Sequence, residues 1–237
     1  MASEGADAAW NHRSGEPGCR VPGRFVVLEG IDGSGKTTQL ERLRQWLPGS
    51  GLMPASAALV VTREPGGTAL GRALRQLLLH PPEQASPCST SELLLYAADR
   101  AQHVQTLIRP ALERGDWVLS DRFSGSTLAY QGDGRGLSRE LIGQLELWAT
   151  AGLTPDLTLW LDLPVAAAGQ RRSDRGPDRI EAAGEAFQER VAAGFARLAA
   201  ERAWCRIPAD QPLEQVAAAV RAALCSRLQP AAGVADG

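Results

Sequence analysis

The chain of 237 residues is 44% hydrophobic and 22% charged, and its 25 basic and 27 acidic side chains leave a formal net charge of −2. That length suits one α/β domain with short tails rather than two large domains, and the balanced charge gives no support for electrostatic binding to long nucleic acid. No apolar stretch approaches the roughly 18 residues of a membrane-spanning helix, and residues 1–23 lack an apolar leader core, so a soluble, cytoplasmic chain is expected.

Residues 1–23 are rich in Gly, Ala, Ser and Pro without apolar periodicity and are expected to be a disordered extension, like the loose tail at 229–237. Between them, residues 24–228 alternate. Short β-rich runs at 25–28, 59–62, 117–120, 157–161 and 204–207 are separated by longer helical stretches, including alanine-rich amphipathic segments at 182–202 and 213–228. This alternation predicts a three-layer α/β fold, a five-stranded parallel sheet flanked by helices, with ligands at the carboxyl ends of the strands.

Each chemical cluster follows a predicted strand or opens a helix. The first strand leads into Gly30, Ile31, Asp32, Gly33, Ser34, Gly35, Lys36, Thr37 and Thr38, which contain the full pattern G-x-x-x-x-G-K-T. The glycines let the backbone bend so that successive N–H groups point inward, and the helix beginning near Lys36 adds its positive end, making a phosphate cradle of the P-loop NTPase type. Lys36 is expected to reach the β- and γ-phosphates of a nucleoside triphosphate, and Thr37 to offer its hydroxyl to Mg²⁺. Lys36 is also the only lysine in the chain.

After the second strand, the turn Arg63 to Thr68 carries charge, although a plain Pro-Gly-Gly connection also accounts for it. In the helical stretch Leu93 to Arg100, Tyr96 and Arg100 are four apart and share a face. They could stack on a base and read its edge, while taken alone a core tyrosine and a solvated arginine are the commoner explanation. Asp121 ends the third strand where a Walker B carboxylate orients Mg²⁺ or its waters, and Arg122 beside it can clamp a phosphate. An arginine-rich segment at about 171–181, holding Arg171, Arg172 and Arg175 around a Gly-Pro break, reads as a lid or as a solvated connector. The four cysteines have no metal-ligand spacing and read as separate reduced thiols.

In this order, Leu28 to Thr38, Arg63 to Thr68, Asp121-Arg122 with Ser126 to Gly132, and Asp178 to Glu181 resemble the thymidylate kinase family, over residues 25 to about 225. The resemblance implies Mg²⁺-assisted transfer of phosphate from ATP to dTMP, giving dTDP, by a homodimer. It implies that Asp32 reaches the 3′-hydroxyl of dTMP, Tyr96 stacks on thymine, and Arg100 hydrogen-bonds O4. Thr127 and Gln131 face the base and its phosphate side, Tyr130 lies under the deoxyribose, and Arg63 and Arg122 hold the dTMP phosphate. Lys36, Arg122 and a lid arginine are the implied catalytic residues, with Thr37 and Asp121 serving Mg²⁺ directly or through water. The cradle holds no arginine between Ile31 and Ser34, so the bacterial arrangement with a lid arginine is expected, Arg175 first and Arg171 or Arg172 as alternates.

The acceptor oxygen of a nucleoside monophosphate is already anionic, so no strong protein base is required. His12, His80 and His103 fall in no motif and receive no catalytic role. Glu64 is left open between a water-mediated Mg²⁺ contact and substrate positioning, and the adenine site is placed only by position, near Ile207 to Asp210. A deoxynucleoside kinase with Glu29 as general base is the main rival. A guanine-nucleotide switch is disfavoured because Asn11 is the only asparagine, and an inactive relative is not separable by sequence.

Overall fold

The computed structural model describes residues 23–82, 84–172 and 178–228. The expected extension at 1–22, the tail at 229–237 and Arg175 therefore lie outside the described residues. Five strands form one sheet: β1 (Phe25–Glu29), β2 (Leu59–Arg63), β3 (Trp117–Asp121), β4 (Leu157–Asp162) and β5 (Cys205–Pro208). They are parallel in the order β2-β3-β1-β4-β5. Each expected strand is present within one residue of its predicted start.

Burial explains the composition of the strands. The three inner strands β1, β3 and β4 are covered on both faces and are almost continuously apolar, whereas β2 and β5 at the edges admit exposed residues such as Val61, Arg63 and Arg206. Alternation along β1 sends Val26 and Leu28 into the larger core, and Phe25 and Val27 into a smaller one with Val104, Ile108, Val118 and Phe123. Glu29 falls on the Phe25/Val27 face by the same period of two. It is thereby aimed at the segment after β3.

The helices are α1 (Lys36–Trp46), α2 (Ala69–Leu79), α3 (Ser89–His103), α4 (Arg109–Glu113), α5 (Ser124–Thr127), α6 (Arg139–Thr150), α7 (Val165–Arg172), α8 (Glu185–Glu201) and α9 (Leu213–Arg227). A wide π-type turn at Val104–Ile108 joins α3 to α4, and another at Leu128–Gly134 follows α5. The expected single helix at 182–202 begins later, at Glu185. Gly184 has φ 92°, which interrupts the helical path and leaves Glu181–Ala183 as a separate short turn.

Strand order sets the site. The chain leaves β1 for β2, returns to β3 beside β1, and then crosses to β4 on the other side of β1, so the connections after β1 and β3 diverge at the sheet's carboxyl edge. Leu28 is in register with Asp121, and the Arg122 N–H donates to the Leu28 carbonyl at 2.9 Å. The cradle and the Asp121-Arg122 pair are therefore neighbours.

Candidate active site

The cradle is built by backbone constraint. Gly30 has φ 141°, and a β-carbon there would lie 2.6 Å from the Leu161 carbonyl oxygen, so both conformation and space demand glycine. Gly35, at φ 92°, caps α1 in a left-handed conformation. Lys36 is buried, and its Nζ donates to the carbonyls of Gly30 at 3.0 Å and Ile31 at 2.9 Å, folding the ammonium over the cradle. Burial, and then the charge of Arg122, pull Lys36 down to about 8, while Asp121, Asp32 and Glu29 oppose this.

Thr37 donates its hydroxyl to Asp121 Oδ2 at 2.9 Å. Asp121 Oδ1 is buried with no hydrogen-bond partner among the described residues. The donor set is thus oxygen only, a hydroxyl and a carboxylate with a spare lone pair, which fits a hard cation such as Mg²⁺. No group of three or more His, Cys, Asp or Glu side chains among the described residues could hold a metal by itself. Mg²⁺ here would draw its other ligands from phosphate and water.

Arg122 joins the cradle to the rest of the site. Its Nη1 donates to the Gly30 carbonyl and to Ser126 Oγ, each at 2.9 Å, and its Nη2 to Asp32 Oδ1 at 2.7 Å and the Tyr130 hydroxyl at 3.2 Å. Its backbone φ is 75°, an unfavourable value for a side-chain-bearing residue. Tyr130 donates to Asp32 Oδ2 at 2.9 Å. Burial acts against ionisation of Asp32, but the Arg122 and Lys36 charges outweigh it and hold the carboxyl far below the usual carboxylate range.

A cleft of about 670 Å³ is lined by Asp32, Gly33, Ser34, Gly35, Lys36, Thr37 and Thr38, together with Arg63, Asp121 and Arg122. Gly30 and Ile31 contribute from behind through their carbonyls. A narrower pocket of about 70 Å³ adjoins it, lined by Asp32, Tyr96, Arg100, Arg122, Thr127, Tyr130 and Gln131. Apart from Gly30 and Ile31, the expected substrate residues within the described chain therefore line one of two adjoining pockets, and Asp32, Glu64, Arg75 and Arg122 line both. Arg63 lines only the larger cleft. Of the expected adenine-site turn, Ala209 lines the cleft, and Arg171 Nη2 donates to its carbonyl at 2.9 Å.

Arg100 is fully buried rather than solvated. Its Nε donates to Glu64 Oε2 at 2.7 Å, while His103 Nδ1 lies 2.8 Å from Glu64 Oε1 and His103 Nε2 lies 2.7 Å from the Thr62 hydroxyl. Burial pushes Glu64 up, but the Arg100 charge and the His103 hydrogen bond bring it below the ordinary value. These contacts tie Glu64, which itself lines both pockets, to Arg100. Asp99 accepts from the Gly66 N–H at 3.1 Å and so pins the Pro65-Gly66 turn; burial and the Glu64 charge raise it to about 6.

Glu29 is also a clamp. Its Oε1 accepts from the Phe123 and Ser126 N–H groups at 3.0 and 3.1 Å, and its Oε2 from the Ser126 hydroxyl at 2.6 Å. Burial raises its pKa, against the pull of Ser126 and Arg122. It lines neither pocket, which removes the geometric basis for using it as a base.

Sequence reasoning missed Arg75, Glu92, His103 and Glu146. Arg75 lines both pockets and donates to the Pro65 carbonyl at 3.0 Å; among so many arginines nothing in the chain marked it. Glu92 is buried and gathers Gln131 at 2.8 Å and Arg179 at 2.6 Å. A signal existed for part of this set, because Glu92, Tyr96, Arg100 and His103 recur at helical spacing along one face of α3.

The comparisons with known proteins agree with this geometry. The family model described as thymidylate kinase matches residues 28–220. A thymidylate kinase of Synechococcus sp. (strain CC9605) is 68% identical over 209 residues, covering 88% of this chain and 98% of that protein. Another, of Synechococcus sp. (strain CC9311), is 66% identical over 205 residues, covering 86% and 97%. The crystal structure of thymidylate kinase from Ehrlichia chaffeensis matches with a TM-score of 0.69 at 34% identity, over 86% of this chain and 100% of that one. The cradle, the Asp121-Arg122 pair and both pockets fall within the matched stretch, and the chain belongs to the thymidylate kinase family.

Proposed function

We propose that this chain transfers the γ-phosphoryl group of ATP to the phosphate of dTMP, releasing ADP and dTDP. The observation that carries the reading is the pair of adjoining pockets, one a phosphate cradle and one narrower and lined by Tyr96 and Arg100, with Arg122 and Asp32 lining both. ATP occupies the larger cleft, its triphosphate on the Gly30–Lys36 backbone and its adenine toward Ala209 and Gln211. dTMP enters the narrower pocket with thymine against Tyr96 and the Arg100 edge, deoxyribose beside Tyr130 and Asp32, and its phosphate held by Arg122 with Arg63 and Arg75. The acceptor oxygen then faces the γ-phosphate.

An oxygen of the dTMP phosphate bonds to the γ-phosphorus as the bond to the β,γ-bridging oxygen breaks, and the electron pair leaves with ADP. Lys36 moves from the Gly30 and Ile31 carbonyls to the phosphates, where a full ammonium is favoured. Thr37 and Asp121 would hold Mg²⁺, which would supply charge neutralisation to the phosphates. The arginine assigned to neutralise charge on the transferring group is Arg175, with Arg171 and Arg172 as alternates.

We also propose a homodimer. Leu94 on α3 and Leu141, Leu147 and Trp148 on α6 are exposed, Trp148 at 84%, and the two helices pack side by side. Exposed large apolar side chains on two adjacent helices fit a second copy better than water. Cys88, Cys205 and Cys225 are free thiols, which fits a reducing, cytoplasmic setting.

The deciding experiment is Mg²⁺-dependent ADP release with dTMP, dUMP, dCMP, dGMP, UMP and thymidine offered separately. Strong preference for dTMP is expected. Preference for thymidine would establish a nucleoside kinase, and silence with every acceptor an inactive relative.

A further inference from the structure

Arg100 has five N–H groups, and four are used inside the protein. Nε goes to Glu64, Nη1 goes to Thr127 Oγ1 at 2.6 Å and to Glu146 Oε1 at 2.5 Å, and Nη2 goes to the Phe123 carbonyl at 3.2 Å. One Nη2–H remains for the pocket that Arg100 lines. Glu64 at Nε and the Phe123 carbonyl at Nη2 hold two corners of the guanidinium plane, and the direction of that N–H depends also on the opposite corner, Nη1, which the Thr127 hydroxyl shares with Glu146.

Glu146 holds that corner from an unexpected place. It is buried on α6, a helix that lines neither pocket, so it acts only through Arg100 and Thr127. Its Oε2 is buried with no hydrogen-bond partner among the described residues. A second buried carboxylate on an arginine already paired with Glu64 adds little to stability, and one with an unsatisfied oxygen adds less. What it adds is geometry.

We propose that Glu146 is a positioning residue for base selectivity: by holding Nη1 of Arg100 it aims the single free Nη2–H into the pocket, so that the site takes a pyrimidine edge bearing a carbonyl and rejects one bearing an amino group. The proposal rests on the reading of Arg100 as the base-edge donor. A carbonyl completes the hydrogen bond, whereas an amino group sets donor against donor and leaves a buried N–H unpaired.

The test compares dTMP with dCMP, by kcat and KM and by calorimetric dissociation constants, in the wild-type protein and in Glu146→Leu, Glu146→Asp, Glu146→Gln and Arg100→Lys. Glu146→Leu should raise KM for dTMP by about tenfold or more with kcat within about twofold, and should narrow the dTMP-to-dCMP ratio of kcat/KM by about tenfold. Glu146→Asp keeps the charge but withdraws the acceptor by one methylene and should fall between, and Glu146→Gln, which keeps the acceptor, should restore most of the ratio. An unchanged ratio in both Glu146→Leu and Glu146→Asp overturns the proposal, as does a loss of kcat and melting temperature with the ratio intact. Should Glu146→Leu fail to fold, Glu146→Asp decides. If Arg100→Lys narrows the ratio while the Glu146 variants do not, only the positioning role fails; if Arg100→Lys leaves it intact too, the reading of Arg100 fails with it.

Discussion

Arg122 and Asp32 form a 2.7 Å ion pair between the end of β3 and the phosphate cradle, at the junction of the two pockets. The Arg122 guanidinium also spans the Gly30 carbonyl, Ser126 and Tyr130, so Asp32 orients the group proposed to hold the acceptor phosphate. Asp32→Asn preserves shape while removing the charge that fixes Arg122. Steady-state kinetics should show kcat/KM for dTMP falling by about tenfold or more, as expected for losing a buried charge-assisted contact, with KM for ATP changing far less.

Lys36 predicts a proton uptake. With its value pulled to about 8 in the free protein, a large share of Lys36 is neutral at about pH 8.5. Bound phosphates favour the ammonium, so ATP binding near that pH takes up a fraction of a proton, and the uptake vanishes below about pH 7, where the lysine is already charged. Calorimetry in buffers of different ionisation enthalpy measures it directly. Lys36→Arg should abolish the uptake.

Glu29→Ala leaves the Phe123 and Ser126 N–H groups and the Ser126 hydroxyl without their common acceptor. A loss of about 1–3 kcal/mol for each buried donor left unpaired predicts a clear fall in melting temperature. Glu29→Gln keeps an acceptor and should leave the shape of the kcat–pH profile between about pH 6 and 8 unaltered, since Glu29 moves no proton in the reaction. A lost basic limb in that profile would restore the nucleoside kinase reading.

The catalytic role proposed for Arg175 is separable from binding. Arg175→Ala should lower kcat by about 10³-fold or more while changing the dTMP dissociation constant little, because an arginine of this kind acts on charge that develops only in transfer. Unaltered turnover would move the role to Arg171 or Arg172.

The exposed α6 face gives a prediction about assembly. Trp148→Glu places a charge at the most exposed of the apolar side chains on α6. Sedimentation at micromolar concentration should show a dimer for the wild-type chain and a monomer for the variant.

Much of this protein was legible in the chain. The strands show as short apolar runs because inner parallel strands are covered on both faces, and the one helix boundary placed wrongly turns on Gly184, whose positive φ the composition around it does not announce. Of the expected substrate residues within the described chain, all but Gly30 and Ile31 line one of the two pockets. Their surroundings were less legible: Arg100 could equally have been a solvated side chain, and His103 carried no motif although it sits against Glu64.

What the sequence determined by itself is the cradle, because its chemistry is local: glycines that permit positive φ, successive N–H groups, and a helix start lie within nine consecutive residues from Gly30 to Thr38. What only the tertiary structure decided is partnership over distance. The sheet order that sets β3 beside β1 brings Arg122 to Asp32 across 90 positions of chain, and the packing of α6 on α3 brings Glu146 to Arg100 across 46. The ionic state and direction of a buried side chain follow from which charges burial leaves beside it, and those neighbours are chosen by the path of the whole chain rather than by the residues next to it.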